Sequence, residues 1–555
     1  MLEHNFQTMQ LPIAPTPSHD EHHPIVVVGA GPVGLGMAID LALRGQAVVV
    51  LDDDQQFSVG SRAICFAKRT LDIWDRLGVS ERMVKKGIAW NLGKVFFRDD
   101  EVWSFNLLPE AQHRRPAFIN LQQYYCEGYL YERALELGIP IRSKHKVVAL
   151  ENHLDHALLT VNTPDGSYHI QADWLIACDG ARSPIRSFIG QSSQGRIFQD
   201  RFLIADVRTK TSYPAERWFW FDPPFHPNQS VLLHSQPDDV WRIDFQLGWD
   251  ADPIEEVKED NVRPRVQALL GEEIEFDFEW ISIYTFACER MDKFRFNRVL
   301  FAGDAAHRVS PFGARGANSG IQDTDNLAWK LDLHLRGHAP ETLLDSYCSE
   351  RRYAADENLT YSSRATDFIT PKSEVSLLFR NTVLRLAKEH GFARSLVNSG
   401  RLSTPSTYEH SHLNTPDTQA FGGSVDLGGP ACDAPLLAAQ KPTWWLSHLG
   451  AGFSWVLFNP DAAQIKQAQA LHQHALLHIY LIQSPESTLD ASTIPFTVLI
   501  DHEGLWQKRY DAQTGSSYLF RPDQHLTARW RHWDSAQVEA ALQRACGHLS
   551  QETLC

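Results

Sequence analysis

No stretch of this chain stays apolar for the ~20 residues that a membrane-spanning helix needs, so no membrane partner is expected. No two cysteines are spaced CxxC. The eight, at positions 65, 126, 178, 288, 348, 432, 546 and 555, are scattered, which speaks against a disulfide scaffold or zinc cluster and for a reducing, cytoplasmic setting. Basic residues are in deficit, 52 Lys and Arg against 68 Asp and Glu for a net charge of −16. A nucleic-acid partner, which needs concentrated positive charge, is excluded, although local basic residues remain available to a small anionic substrate. Met1 to His23 lacks the basic and apolar regions of a secretory signal and is expected to be a disordered polar tail. The 25 histidines show no metal-ligand spacing, most are read as solvated surface residues, and no metal is expected. What remains, 43% hydrophobic and 22% charged over 555 residues, describes a globular chain of two or three domains.

The informative segments are three short ones. Ile25-Val-Val-Val28 is β-branched and apolar throughout, and reads as a buried parallel strand. Gly29-Ala-Gly-Pro-Val-Gly34 follows. Gly29 permits a sharp turn, Gly31 lets backbone approach a pyrophosphate, and Gly34 lets helix and strand pack closely. The next residues place Val33, Met37, Ala38 and Leu41 on one helical face until Gly45 ends it, and the N-terminus of that helix favours phosphate. Ala47-Val-Val-Val-Leu51 is a second buried strand. Asp52 at its end stands where an acid accepts hydrogen bonds from a ribose diol. A glycine fingerprint alone is weak; strand, helix and acid in the correct order make it a dinucleotide site.

The second segment is the strand Trp174-Leu-Ile-Ala-Cys178 running into Asp179-Gly180, with Pro184 suited to a first helical turn and Arg186 one turn beyond Arg182. Asp179 can sit near a cofactor diphosphate or simply cap that helix. The third is the strand Arg298-Val-Leu-Phe-Ala-Gly303 with Asp304 at its carboxyl end, where open α/β sheets make their ligand contacts. His307 is read as structural. A loop rich in small residues, Val309 to Gly320, leads into a helix whose apolar face carries Ile321, Thr324, Ala328, Leu331 and Leu335.

These segments, with Ser61-Arg-Ala63, Arg69-Thr-Leu71, Asp325-Asn-Leu-Ala-Trp-Lys330, Leu344-Asp-Ser-Tyr347 and Glu350-Arg-Arg352, resemble the class A flavoprotein aromatic hydroxylases, the p-hydroxybenzoate hydroxylase superfamily. Within it the chain is most similar to the branch of 3-(3-hydroxyphenyl)propionate hydroxylase and phenol hydroxylase, over roughly residues 24 to 395. The resemblance implies an α/β fold: a Rossmann-like FAD-binding domain over 24–395, with an interleaved β-rich substrate domain at about 200–290. It implies that Gly29, Gly31, Gly34 and Asp52 hold the ADP half of FAD, with Arg62 and Gln123 contacting the cofactor. Asp179 would serve both FAD and NAD(P)H, Asp304 the ribityl chain, and Pro311, Gly316, Ala317 and Asn318 the isoalloxazine ring.

Glu216 to Phe221, Val231 to Leu233 and Val240 to Leu247 read as strands of the substrate sheet. In the last of these Arg242, Asp244 and Gln246 alternate with Trp241, Ile243 and Phe245. Arg242 and Asp244 are therefore the candidate catalytic residues, the alternative being a solvated sheet face. Phenol hydroxylases carry an Asp just before the Arg-Thr-Leu stretch, and Ile64-Cys-Phe-Ala-Lys68 offers none. Residues 396–430, rich in Ser, Thr, Pro, Gly and His, read as a linker. Residues 431–555 resemble the thioredoxin-like C-terminal domain of the phenol hydroxylase branch, whose usual part is packing and homodimer contact. The implied activity is hydroxylation of a small phenolic aromatic substrate with NAD(P)H and O₂, through a flavin C4a-hydroperoxide. Two rival readings use the same scaffold: a flavin epoxidase or Baeyer–Villiger oxygenase on a polyketide-like substrate, and a non-catalytic flavin-fold binding protein, against which intact Asp179 and Asp304 argue.

Overall fold

The computed structural model describes residues 5–60, 62–211, 213–397, 402–487, 489 and 494–548; Ser61 of the Ser61-Arg-Ala63 stretch lies outside them. The first sheet carries the strands in the order Arg295–Phe296, Val299–Phe301, Gly166–Ala177, Glu21–Val28, Val48–Asp52 and Ile141–Ser143. From Val299–Phe301 to Ile141–Ser143 neighbouring strands run parallel, and Ile25 to Leu51 supply the apolar core that a two-sided parallel sheet demands. The helix Pro32–Leu43 starts at Gly31 and packs against the long helix Gly316–Leu335.

Beside it stands a seven-stranded sheet in the order Asp277–Tyr284, Arg201–Arg208, Val240–Leu247, Ser230–Ser235, Arg217–Phe221, Leu92–Phe97 and Asp100–Asn106. Five strands come from the expected insert. The other two come from residues 92–106, an antiparallel hairpin turned at Arg98-Asp99, which joins by parallel pairing of Leu92–Phe97 with Arg217–Phe221, a partner too distant in sequence to read locally. One face of this sheet is backed by the helix Glu259–Leu270, through Val262, Val266 and Leu270 against Ile243, Phe245 and Trp220. The other face looks toward the first domain.

Residues 435–530 build a third, mixed sheet of seven strands around the parallel pair Phe453–Phe458 and Leu477–Gln483, with Ser517–Phe520 and Leu526–Trp530 antiparallel on one side. It is covered by the helices Ala462–Leu471 and Ser535–Ala545.

Two expected unstructured segments are ordered. In the supposed tail, Phe6 is buried and meets Phe57 and Tyr129 edge-on at 5.8 and 5.4 Å, while Glu21 already belongs to the first strand. The Phe6 ring fills the space above Gly128, where a Cβ would stand 2.4 Å from it, and Leu11, buried and donating its N–H to the Gln55 carbonyl at 2.6 Å, helps hold the segment down. In the supposed linker, Leu402, Tyr408, Leu413 and Val425 are buried. Its hydroxyls are ligands for buried charge: Arg351 donates to Tyr408 Oη at 2.6 Å, and Ser411 Oγ donates to Glu350 at 2.5 Å.

The helix Gly316–Leu335 was expected to bury one face and buries nearly all of itself. Its polar side meets the third domain. Glu350, from the helix Leu343–Ile369, accepts from Lys330 at 2.7 Å and from Arg521 at 2.6 and 3.1 Å; Arg521 also pairs with Asp523. Asp325 accepts from Arg69 at 2.6 Å and Arg76 at 2.7 Å, and Arg69 reaches on to Gln524 and the Asp523 carbonyl. Burial alone would raise the Glu350 carboxyl, but Arg521 and Lys330 hold it well below the usual range. Burial lowers Lys330 to about 8 against the pull of Glu350.

Candidate active site

The three informative segments start from one level of the parallel sheet. Leu51, Val28, Ala177 and Phe301 are successive cross-strand partners, so Asp52, Gly29, Asp179 and Asp304 all leave at the carboxyl edge, where open α/β sheets bind ligands. Contact is close enough to forbid side chains. A Cβ on Gly29, whose φ is +108°, would lie 2.3 Å from the Cys178 carbonyl oxygen, and one on Gly34 would lie 1.9 Å from that of Gly29. Gly303 and Gly320 close against Val33, at 3.0 and 2.7 Å from a hypothetical Cβ. Arg186 ties the second segment to the third, donating to the carbonyls of Ala181 and Ala305 at 2.8 Å each.

Gly31 behaves otherwise. No atom lies within 4 Å of where its Cβ would be, and it stands at the N-terminus of Pro32–Leu43. An open cradle at a helix N-terminus suits a pyrophosphate. Asp179 caps the helix with one oxygen and leaves the other free. Its Oδ2 accepts from Ser183 Oγ at 2.8 Å and Ile185 N at 3.1 Å, capping the short helix Pro184–Phe188. Its Oδ1 is buried and has no partner among the described residues, and burial raises its pKa. The Asp304 side chain is reached by solvent although protein surrounds it, as in a cleft; that surrounding raises its pKa, and no described residue hydrogen-bonds it. Asp52 is clasped by Ala30 N at 2.5 Å and Asp54 N at 2.8 Å, with burial raising its pKa to about 6. Open cradle, orphaned carboxylate oxygen and unpartnered acid in one cleft fit a dinucleotide with hydroxyl-bearing linkers.

Other expected contacts are positioning devices. Gln123 spends its amide on Ala63 N, Ser58 Oγ and Glu127, holding the segment that carries Arg62. The exposed Arg62 lies near enough to Asp304 to draw its pKa down, and its carbonyl accepts from Arg242 at 2.9 Å. Asn318 makes four hydrogen bonds, to Ala67 N, Thr70 Oγ1, and the carbonyls of Cys65 and Ala314. Its side chain therefore pins the strand Cys65–Ala67 to the loop before Gly316 rather than facing open space. Pro311 and Ala317 are at least partly exposed around that loop. His307 is structural: its Nε2 meets Asp323 at 2.8 Å. Asp323, which the sequence reading passed over, also accepts from Gly303 N at 2.8 Å and from Arg351 at 2.6 Å, and so fixes the turn that presents Asp304.

This parallel sheet, its glycine turns and its acids match a known family. The FAD binding domain family matches residues 22–362. The chain belongs to that family and is an FAD-dependent monooxygenase. It is 31% identical over 460 residues to a 12-dehydrotetracycline 5-monooxygenase/anhydrotetracycline 6-monooxygenase of Streptomyces rimosus, covering 76% of this chain and 88% of that one. It is 30% identical to a 3-(3-hydroxy-phenyl)propionate/3-hydroxycinnamic acid hydroxylase of Klebsiella pneumoniae over 62% of each. The crystal structure of the flavin-dependent monooxygenase PieE with FAD and substrate has the same fold, with a TM-score of 0.80 at 19% identity, covering 95% of this chain and 99% of that one.

Above the cleft of this monooxygenase lies the inner face of the seven-stranded sheet, and it is not solvated. Arg242, Asp244 and Gln246 are all buried. Arg242 Nε donates to Asp206 Oδ1 at 3.0 Å, and despite burial the acids raise its pKa. Asp244 faces the Tyr284 hydroxyl; burial lifts its carboxyl to about 6 although Arg242 opposes the rise. Opposite, the stretch lacking the phenol-hydroxylase acid presents Cys65. Its thiol donates to Asn120 Oδ1 at 3.1 Å and sits 3.9 Å from His234 Nδ1. Phe312, next to Pro311, closes the same space against Phe202 and Phe286 at 4.7 and 5.4 Å between ring centroids.

Proposed function

We propose that the protein hydroxylates a phenolic aromatic ring, consuming one NAD(P)H and one O₂ per ring and releasing water, with FAD held by Gly29, Gly31, Gly34, Asp52, Asp179 and Asp304. Bound FAD would supply the redox and oxygen chemistry; the chain supplies position, dryness and protons. The observation that carries the reading is the buried polar face around Asp244 and Arg242, set directly over the segment and loop that shape the flavin cleft. Asp244, ionised above about pH 6, is suited to take the phenol proton at its carboxylate, with the Tyr284 hydroxyl as neighbour in the relay. Asp244 thus supplies from the sheet the acid missing before Arg69. Arg242, neutralised by Asp206 and bonded to the Arg62 carbonyl, holds the sheet at a fixed height over the cleft. Phe312, Phe202 and Phe286 exclude water from the ring's side.

Similarity to the Streptomyces rimosus enzyme, named for tetracyclines and matched over 88% of its length, supports a second substrate size: a fused-ring polyketide phenol, with epoxidation or Baeyer–Villiger insertion as rival outcomes. The order of strands in residues 435–530 supports a thioredoxin-like third domain. The deciding experiment is a panel of simple phenols and fused-ring phenols, scored for substrate-stimulated NAD(P)H oxidation and for products heavier by one oxygen under ¹⁸O₂. Stimulation with a hydroxylated product is expected, and Asp244→Ala should lower kcat by on the order of 10²-fold. A panel in which no phenol changes the oxidation rate would remove the hydroxylase reading.

A further inference from the structure

The family match begins at residue 22, yet the chain is ordered from Asn5, and this leading arm lies against the turn that follows the strand Val48–Asp52. Leu11 bonds the Gln55 carbonyl through its N–H, and Phe6 packs edge-on against Phe57. Gln10 accepts from the Gln55 amide at 2.8 Å and donates to the Gln56 side chain at 3.1 Å, where arm and turn pair as an antiparallel bridge. His145 joins arm and acid. Its backbone N–H donates to the Asp52 carbonyl at 2.9 Å, and its Nε2 donates to the Ala14 carbonyl at 3.1 Å. One residue therefore separates the arm from the acid assigned to the ribose of FAD.

The turn needs such ties. It opens with three consecutive acids, and after burial it is repulsion from the exposed Asp53 and Asp54 that lifts the Asp52 carboxyl. The Asp54 N–H that holds the Asp52 carboxylate belongs to the same turn, so opening the turn frees the acid. Its far end is secured from another side. Ser58 donates to Glu127 through both N and Oγ, at 2.6 Å each, and Glu127 also takes the amide of Gln123, which steadies the Arg62 segment. Between those ends, the side chains of Gln55 and Gln56 hydrogen-bond to the arm alone among the described residues. The arm itself has two deeply buried apolar anchors, Phe6 and Leu11, and much of its polar bonding is exposed. Segments of that kind open locally at small cost.

We propose that residues 5–16 are a clasp on the cofactor: by holding the turn from Asp52 to Ser58 closed, they set how long FAD stays bound. The clasp presupposes Asp52 at the ADP half of FAD, as in the proposed function. A fixed acid binds a ribose better than a mobile one, because its ordering is complete before the ligand arrives. The effect must also run backwards. If the arm favours bound FAD, bound FAD favours the docked arm by the same factor.

The test uses the full chain, loaded with FAD or stripped of it. In the unaltered protein, hydrogen exchange at the Leu11 amide, read by mass spectrometry, should slow on the order of tenfold when FAD binds. FAD release, read as recovered flavin fluorescence after dilution, should quicken on the order of tenfold in Phe6→Ala, with Phe6→Leu between it and wild type. Leu436→Ala, which empties a buried position in the third sheet far from the arm, weakens the fold by another route and should release FAD at the wild-type rate. Exchange at Leu11 that ignores FAD, a comparison needing no variant, overturns the proposal. So does release from Phe6→Ala no faster than from wild type or from Leu436→Ala. Gly31→Ala tells a failed clasp from a failed site. If Gly31→Ala loses FAD while Phe6→Ala keeps it, only the clasp falls; if Gly31→Ala keeps FAD while Phe6→Ala sheds it, the clasp stands and the placement of the ADP half falls.

Discussion

The flavin-binding domain has two charged interfaces, and they are built on opposite plans. Against the C-terminal domain, Glu350, Lys330, Arg521, Asp523, Arg69, Asp325 and Arg76 are buried or nearly so, and each meets opposite charge. Against the substrate sheet, Arg217 has no partner, Asp179 keeps one oxygen orphaned and Asp304 is unbonded. Closed networks hold parts together. Open valences around a cleft that solvent enters wait for something from outside. The contrast teaches how to separate adhesive charge from functional charge in one molecule: ask which ions are already satisfied.

If that distinction is right, removing a member of the closed network should do the most damage. Glu350→Ala leaves Arg521 and Lys330 buried without their shared counter-charge and should cost about 3–5 kcal/mol in urea unfolding; a loss under about 1 kcal/mol would mean the network is not holding the domains. Asp244→Asn should act in the other direction and only at higher pH. The folded-state pKa of about 6 lies above the ordinary 3.8, so the folded protein binds the proton more tightly than the unfolded chain. The penalty for ionising Asp244 is absent below pH 3.8, grows up to pH 6 and is complete above it. The variant should therefore gain as much as about 3 kcal/mol at pH 8 and nothing at pH 3.5, measured as denaturation midpoints at both. Arg217→Met should be neutral or stabilising by about 1–2 kcal/mol without ligand, in contrast to any arginine of the closed network; a loss as large as that of Glu350→Ala would place Arg217 with the adhesive charges. Smallest in stability, within about 1 kcal/mol, is Gly31→Ala, whose new methyl meets nothing in the protein. It should nevertheless emerge from gel filtration depleted of flavin, because the methyl occupies the pyrophosphate's approach.

The flavin half of the site was legible in the sequence because its requirements are local. A sharp turn needs Gly29, close packing needs Gly34, and an acid at a strand end follows directly from strand length. Asp179 and Asp304 could be placed by the same logic, and the alternation in Val240 to Leu247 pointed to Arg242 and Asp244. Arg217 could not be found that way. It stands in Glu216-Arg-Trp-Phe-Trp-Phe221 like any surface-strand cation, and its lack of a partner depends on strands distant in sequence, those of Cys65, Asp244 and Tyr284. Asp323 looked like one polar residue on a helix, and its meaning depends on Gly303 and Arg351, which contact it across the fold. Strands 92–97 and 100–106 form a hairpin of their own, and what stayed hidden was its membership of the sheet, set by parallel pairing across more than a hundred residues. The stretch from 402 to 430 has the composition of a spacer, yet its hydroxyls are recruited by buried ions, a demand that composition does not display.

That last stretch has a consequence for anyone who shuffles genes of this kind. Tyr408 and Ser411 belong, by their bonds, to helix residues Arg351 and Glu350 upstream and, through Glu350, to Arg521 downstream. A chimera joined at the apparent seam near position 396 would import a foreign connector and a foreign final third into a lock cut for other keys. Crossovers that transplant 350–351, 408–411 and 521–524 as one set should yield protein that accumulates in the cell, and those that divide the set should not.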